Sequence, residues 1–349
     1  MKTPRLISII PGLALVVAVA WLAHYAHGRI PPRAGRLVDE VILAVLIGLA
    51  VGNVLRIPKF AQPGIRFAFQ TLLRTAIVLL GATMTFTAAL SIGRHALFMV
   101  IGLMTLALLT AHAMGRAFGL DGRVATLIGV GTAVCGTTAI GAVAPVIGAK
   151  DEETSVAIAT NTLFGTLAVF VYPSLGHALG MTDPAFGTWA GAVVNDTSQV
   201  VAAGFAYSQA AGRIAAVVKL TRNLLMGGVI VVLGLVHAGG GRAAAGSVWQ
   251  RVKHSVPPFV LLFCGMCLLN TLGVVSWLSH HVGRDLTADA QTAARGLILV
   301  ALAGVGVGTS FGAIRRMGLR PLWVGLATAL VTSGAGYAMI QFFGPAGGR

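Results

Sequence analysis

The chain has 349 residues, of which 56% are hydrophobic and only 10% are charged, and its mean hydropathy is +0.86. A soluble domain carries roughly 25% charged residues, so this composition excludes a water-soluble globular protein. The formal net charge of +15 does not indicate nucleic-acid binding, because the Lys and Arg residues are scattered through short gaps between apolar runs.

About eleven apolar runs approach the ~20 residues that a helix needs to cross a bilayer. In chain order the predicted spans are 6–24, 39–55, 67–90, 95–116, 122–148, 153–176, 186–208, 212–237, 254–276, 290–312 and 319–343. The first run has a basic start like a secretory signal, but it is long and no clear cleavage site follows it. We therefore expect an all-α polytopic membrane protein, a single domain over 1–349, with a peripheral first helix (about 6–24) and a repeat-containing core (about 39–343).

The distribution of basic residues predicts a cytoplasmic N-terminus. With that orientation thirteen Lys and Arg residues fall in cytoplasmic segments and eight in outside segments. Cytoplasmic segments of membrane proteins carry the excess of Lys and Arg. The remaining four basic residues lie within apolar runs, and they are Arg74, Lys219, Arg222 and Arg295.

Two segments near the third and tenth spans resemble each other. GATMTFTAALSIG (Gly81–Gly93) and GVGTSFGAIRRMG (Gly306–Gly318) have glycine at both ends and align Phe86 with Phe311. The copies would have opposite orientations in the membrane, as the inverted repeats of secondary transporters do. Chance resemblance between glycine-rich helices is the alternative.

Asp196 lies within an apolar run, whereas the other nine acidic residues lie at the ends of such runs. A carboxylate at membrane depth is costly and usually marks an ion or substrate path. A regular helix would turn its polar neighbours toward lipid, so we predict a local break that lines a cavity. The predicted ion-coupling residues are Asn195, Asp196, Ser198 and Gln199. A short hydrophilic loop between two half-length segments is the alternative.

A second interruption lies in the segment Gly129–Glu153, where glycine, threonine and proline break up an apolar span. Such residues permit local unwinding, and discontinuous helices are the usual binding device of secondary transporters. The predicted substrate-binding residues here are Gly131, Cys135, Gly136, Thr137 and Thr138. A tightly packed helix of small residues explains the pattern equally well.

Lys219 and Arg222 lie three residues apart in an apolar run and therefore share one helix face. They are predicted to bind an anionic substrate or to balance the charge of Asp196, and snorkelling to the headgroups is the alternative. The chain lacks H-E-x-x-H, a P-loop and paired Asp-rich motifs, so we expect neither an enzyme nor a bound cofactor or metal.

Four blocks resemble the bacterial inner-membrane proteins of the YeiH-type sulfate exporter family. The blocks are LLRTAIVLLGATMTF (Leu72–Phe86), VCGTTAIGAVAPVIGAKDEETSVAIATNTLFG (Val134–Gly165), NDTSQVVAAG (Asn195–Gly204) and VVKLTRNLL (Val217–Leu225). The family resembles the bile acid, arsenite and riboflavin transporter superfamily. That resemblance implies inverted repeats with broken helices that cross at mid-membrane, one of them formed by Gly131–Pro145. The family has a histidine before the acidic residue where this chain has Asn195, so a proton-coupling histidine does not carry over.

These observations predict a secondary transporter that exports a small inorganic or organic anion, such as sulfate or a sulfonate, across the bacterial inner membrane. The coupling ion would be a proton or Na⁺, and a homodimer is compatible with the sequence. A cation/proton antiporter that uses the Asn195–Asp196 pair is the main alternative. A membrane enzyme or a non-transporting scaffold is the third.

Overall fold

The computed structural model describes residues 6–29, 40–55, 57–237, 258–309 and 318–343, and every regular element in those ranges is helical. The α-helices are α1 (Leu6–His27), α2 (Glu40–Val54), α3 (Gln62–Phe67), α4 (Leu73–Gly81), α5 (Phe86–Ala117), α6 (Gly122–Ala133), α7 (Thr137–Val143), α8 (Asp151–Ala178), α9 (Asp183–Val193), α10 (Thr197–Tyr207), α11 (Gln209–Leu224), α12 (Met226–His237), α13 (Pro258–Thr271), α14 (Val274–Val282), α15 (Leu286–Gly308) and α16 (Leu319–Phe343). A 3₁₀ turn (Lys59–Ala61) precedes α3, and a π-helical turn (Ala68–Leu72) joins it to α4.

Six helical stretches of the described residues are long and apolar enough to cross a membrane. They are Ser8–His27, Lys59–Gly81, Ala96–Ala117, Asp151–Ala178, Leu286–Gly308 and Leu319–Phe342. The pair α13 and α14, bent by 70°, makes a seventh if it counts as one span. The all-α polytopic membrane fold is confirmed. The count of about eleven is not confirmed, because several apolar runs are divided into helices too short to cross a bilayer alone.

The limits of the predicted third span differ from those in the structure. The helix that should run over 67–90 ends at Gly81, and α5 begins at Phe86. A turn separates them, in which the Thr83 N–H donates to the Leu80 carbonyl, while the Phe86 N–H donates to Thr271 Oγ1 at 2.7 Å. Hydropathy alone missed this turn because Ala82 and Met84 are as apolar as the helices around them.

Parts of the predicted spans 39–55, 254–276 and 290–312 lie outside the described residues. Most of the repeat segment Gly306–Gly318 lies outside them as well. The inverted repeat and the single-domain assignment therefore stay predictions.

The described residues form two compact units, and the first combines α1–α4 with α13–α15. Its helices pack backbone to backbone: a Cβ on Gly48 of α2 would lie 2.6 Å from the Ala303 carbonyl oxygen of α15. Such close approach requires glycine at the contact. The predicted peripheral helix α1 packs into this unit, with Val16 and Ala23 fully buried among α2, α3 and α15.

The second unit contains the helices from α5 to α12, apart from the first residues of α5 and the last residues of α10, together with α16. Helix α9 packs closely on α11, since a Cβ on Gly187 or Gly191 would lie 2.6 or 2.7 Å from a carbonyl oxygen of α11. The Trp189 Nε1–H donates to the Ser333 carbonyl at 2.9 Å and so fixes α9 to α16. All of the predicted site residues lie in this unit.

Candidate functional site

Two helices of the second unit are interrupted at the places where the sequence predicts breaks. The first break separates α6 from α7 at residues 134–136, where Gly136 has a φ of +66° and donates its N–H to the Gly131 carbonyl at 3.1 Å. The second separates α9 from α10 at residues 194–196, where Asp196 has an extended backbone. A positive φ favours glycine, which explains the residue type at position 136.

Lys219 of α11 connects the two breaks. Its Nζ donates to the Val134 carbonyl at 2.7 Å, to the Val194 carbonyl at 3.0 Å and to the Asn195 carbonyl. The side chain is fully buried. An ammonium group has three donors, and all three are used here, so the charged form is the one that fits these contacts.

Arg222, one turn further along α11, binds the same two helix ends. Its Nε donates to the Ala133 carbonyl at 3.0 Å, and Nη1 donates to the Ala192 and Val194 carbonyls at 2.7 and 2.9 Å. Nη2 donates to the Thr132 carbonyl. The last carbonyls of a helix lack intrahelical partners and carry partial negative charge, so a buried guanidinium is a suitable cap for both ends.

The structure therefore gives the two predicted anion-binding cations a different set of contacts. Lys219 has no donor left for a ligand, and most donors of Arg222 bind backbone carbonyls. No carboxylate of the described residues forms an ion pair with either of them. Both side chains are buried and cap the ends of the broken helices.

Asp196 occupies the opposite, N-terminal side of the two breaks. Its Oδ1 accepts from Ser198 N–H at 3.0 Å and from Ser198 Oγ at 2.8 Å, which caps the start of α10. Its Oδ2 accepts from Thr137 Oγ1, at the start of α7, at 3.3 Å. The carboxylate thus touches the first turns of both broken helices.

Helix α8 forms a third wall beside these breaks. Gln199 accepts the Asp196 N–H at 3.2 Å and donates Nε2 to the Thr162 carbonyl and to Thr166 Oγ1. Asn195 donates Nδ2 to the Asn161 carbonyl at 3.3 Å. Three of the predicted residues therefore stabilise the second break. Asn195 and Gln199 bond to α8, and Ser198 bonds to Asp196.

We use the name junction for the two breaks (residues 134–136 and 194–196) together with Lys219, Arg222 and the α8 residues Asn161, Thr162 and Thr166 that face them.

Among the other predicted site residues, Cys135 is buried and contacts Met226 Sδ at 3.5 Å through its Sγ, and Gly131 is buried in the last turn of α6. Thr138 is exposed, and no hydrogen bond brings its side chain into the junction.

The sequence prediction missed Asn161 of α8. This side chain is 2% exposed, and neither its Oδ1 nor its Nδ2 has a hydrogen-bond partner. Its Nδ2 lies 2.8 Å from the position that a Cβ on Gly136 would take, and Asp196 Oδ2 lies 3.0 Å from the same position. The signal in the sequence is the polar triplet Thr160–Thr162 in the middle of an apolar run.

The chain is similar to known proteins over most of its length. A family model described as "Conserved hypothetical protein 698" matches residues 11–325, which include the whole junction. The chain belongs to this family. Its relatives carry the name UPF0324 membrane protein, in agreement with the polytopic fold.

Three members of the family illustrate the extent of the match. The UPF0324 membrane protein of Clostridium tetani is 29% identical and is aligned over 92% of this chain and 93% of its own length. A Streptococcus agalactiae member is 32% identical over 91% and 92%, and a Bartonella henselae member is 33% identical over 87% and 84%. None of these names states a substrate, so the sulfate-exporter and superfamily resemblances stay predictions.

Proposed function

We propose that the chain is a secondary transporter that exports a small anion of the sulfate or sulfonate class across the bacterial inner membrane, with the N-terminus in the cytoplasm. The junction is the transport site in this proposal, and the protein is not an enzyme. The observation that carries the proposal is a buried centre with two cations and one carboxylate, built on two broken helices.

The charge balance of the junction favours an anion. With both basic side chains charged and Asp196 ionised, Lys219 and Arg222 contribute two positive charges against one negative charge, so the centre in this charge state is positive by one. The partial charges of the helix ends do not change this sum, because the two C-terminal ends face the cations and the two N-terminal ends face Asp196. Uncompensated charge is unfavourable inside a membrane, and an anion removes it.

The broken helices supply the second argument. Interrupted helices whose ends converge on a ligand site are typical of secondary transporters, since non-helical backbone is tolerated at membrane depth only where protein or a cavity surrounds it. The caps from α11 satisfy the freed carbonyls at both breaks. The first turns beside Asp196 are then available to a solute and to a coupling ion, which we assign to a proton or Na⁺.

A cation/proton antiporter is the second candidate, and one observation favours it. Because the donors of Lys219 bind backbone carbonyls, the charged group of the junction with the least saturated contacts is Asp196, whose Oδ2 accepts a single hydrogen bond of 3.3 Å. A carboxylate oxygen in that state suits a cation.

Flux into proteoliposomes tests the proposal. We expect saturable uptake of radiolabelled sulfate that responds to an imposed proton or Na⁺ gradient and falls sharply in Asp196→Asn and in Lys219→Ala. Uptake of sulfate and of a small sulfonate equal to that of protein-free liposomes would refute the anion proposal. Proton movement driven by Na⁺ or K⁺ without added anion would favour the antiporter.

A further inference from the structure

Asn161 is a buried carboxamide whose two polar atoms both lack a partner. Buried polar groups in folded proteins are nearly always hydrogen-bonded, and an exception calls for a ligand or another specific explanation. The group faces the first break, since its Nδ2 and Oδ1 lie within 3.0 Å of the Cβ positions of Gly136 and Gly131, respectively. A side chain on either glycine would collide with the amide, so glycine is required at both positions where Asn161 faces the break.

The side-chain donors beside Asp196 are already occupied, with the exception of Asn161. Lys219 gives all three hydrogens to backbone carbonyls, and the Ser198 hydroxyl and the Thr137 hydroxyl both donate to Asp196. Among the described side chains, Asn161 therefore offers the free buried donor beside Asp196, its Nδ2 hydrogens. An anion that enters the positive centre finds its hydrogen bond there.

The position of Asp196 sets a condition on this contact. Its Oδ2 and Asn161 Nδ2 lie within 3.0 Å of one common point, so an anion at the amide is also a neighbour of the carboxyl group. An ionised carboxylate repels that anion strongly in a medium of low dielectric constant, and a protonated carboxyl group does not. Protonation also raises the charge of the centre from one to two, which matches a dianion.

We propose that Asn161 donates Nδ2–H to the transported anion, and that the anion binds there only when Asp196 carries a proton taken from water. One proton then accompanies each dianion in the same direction, and the loaded centre is neutral. This inference rests on the proposed anion transport. Among the described residues, the titratable groups that act on Asp196 are Lys219 of α11 and the Cys135 thiol of the first break, and Arg222 lies one turn further along α11. From α8, the uncharged Asn161 lies beside it.

Binding of radiolabelled sulfate to the purified full-length protein tests the inference. In Asp196→Asn, which imitates the protonated carboxyl group, binding should be tighter than in the wild type, because the repelling charge is absent. In Asn161→Ala it should weaken about tenfold or more, since a hydrogen bond to a charged ligand is lost.

Thr160→Val is the matched control, because Thr160 is the preceding residue, fully buried, and its hydroxyl bonds to the Val156 carbonyl of its own helix. It should bind sulfate as the wild type does, and melting temperatures establish that all variants are folded. Wild-type affinity in Asn161→Ala, or an affinity in Asp196→Asn no higher than that of the wild type, would overturn the inference while anion transport stands. Absence of sulfate binding and of sulfate flux in the wild type would overturn both.

Discussion

At the scale of single residues, Lys219 and Arg222 show how a buried charge stabilises an interrupted helix. Their donors replace the backbone hydrogen bonds that α6 and α9 lose where they end. A cation at the C-terminal end of a helix also interacts favourably with the helix dipole. We infer that the pair maintains the shape of the junction and sets its charge, and that other groups contact the ligand.

Replacement of Lys219 by methionine should lower the stability of the protein by about 2 kcal/mol or more, because the buried Val134 and Asn195 carbonyls lose their donor. The Val194 carbonyl keeps the donor from Arg222. Thermal denaturation in detergent measures the effect. Arg213→Met on the same helix is the control, since Arg213 is only half-buried, and it should change stability little. Equal melting temperatures for the two variants would contradict the role assigned to Lys219.

Gly136→Ala should destabilise the first break by about 1–2 kcal/mol from the positive φ alone. The added Cβ would also lie 2.8 Å from Asn161 Nδ2 and 3.0 Å from Asp196 Oδ2, so sulfate binding should fall as well. Gly141→Ala is the control in α7, because no atom lies within 4 Å of its Cβ position and alanine favours the helix. A Gly136→Ala protein as stable as Gly141→Ala would contradict the account.

The residue types of the junction were predictable in part. A carboxylate and two cations stand out within apolar runs, so Asp196, Lys219 and Arg222 could be identified from their positions in the sequence. Their partners were not, because a backbone carbonyl leaves no trace in the sequence. Asn161 was missed because an uncharged polar residue in a membrane helix is common, and only the absence of a partner in the folded structure makes it informative.

At the scale of helices, the packing of α9 on α11 determines where the two cations lie. The glycines of α9 allow backbone contact, which carries Lys219 and Arg222 to the ends of α6 and α9. The sequence indicated both breaks, since glycine, threonine and polar residues cluster at them. It did not provide the number of spans, because hydropathy does not distinguish one crossing helix from two short helices end to end.

Gly191→Ala tests this packing. The new Cβ would lie 2.7 Å from the Ala215 carbonyl oxygen and 2.7 Å from Val218 Cβ, so α11 must move away from α9. Overpacking of this kind costs about 1–3 kcal/mol, and the melting temperature should fall accordingly. Gly228→Ala in α12, with no atom within 4 Å of its Cβ position, should not lower it. A melting temperature of Gly191→Ala no lower than that of Gly228→Ala would refute the close packing.

At the scale of the whole molecule, the excess of basic residues in one set of segments predicts a cytoplasmic N-terminus. In that orientation Gly122, exposed at the start of α6, lies in the cytoplasm, and the start of α8 lies on the same side because Arg123 Nη1 and Glu153 Oε1 are 4.0 Å apart. Leu179, exposed directly after the long helix α8, then lies outside. A membrane-impermeant maleimide should label Leu179→Cys in intact cells and Gly122→Cys only after permeabilisation. Wild-type protein, whose Cys135 and Cys267 are buried and Cys264 half-buried, provides the background. The reverse labelling pattern would contradict a cytoplasmic N-terminus.

The most direct test of the central claim is the position of a bound anion in the junction. Selenate replaces sulfate closely, and its selenium scatters anomalously. We predict an anomalous peak beside Asn161 Nδ2 and the first turn of α7, which disappears in Asn161→Ala crystals. A peak at Lys219 with its backbone contacts displaced, or a junction without selenate in a protein that transports sulfate, would contradict the account.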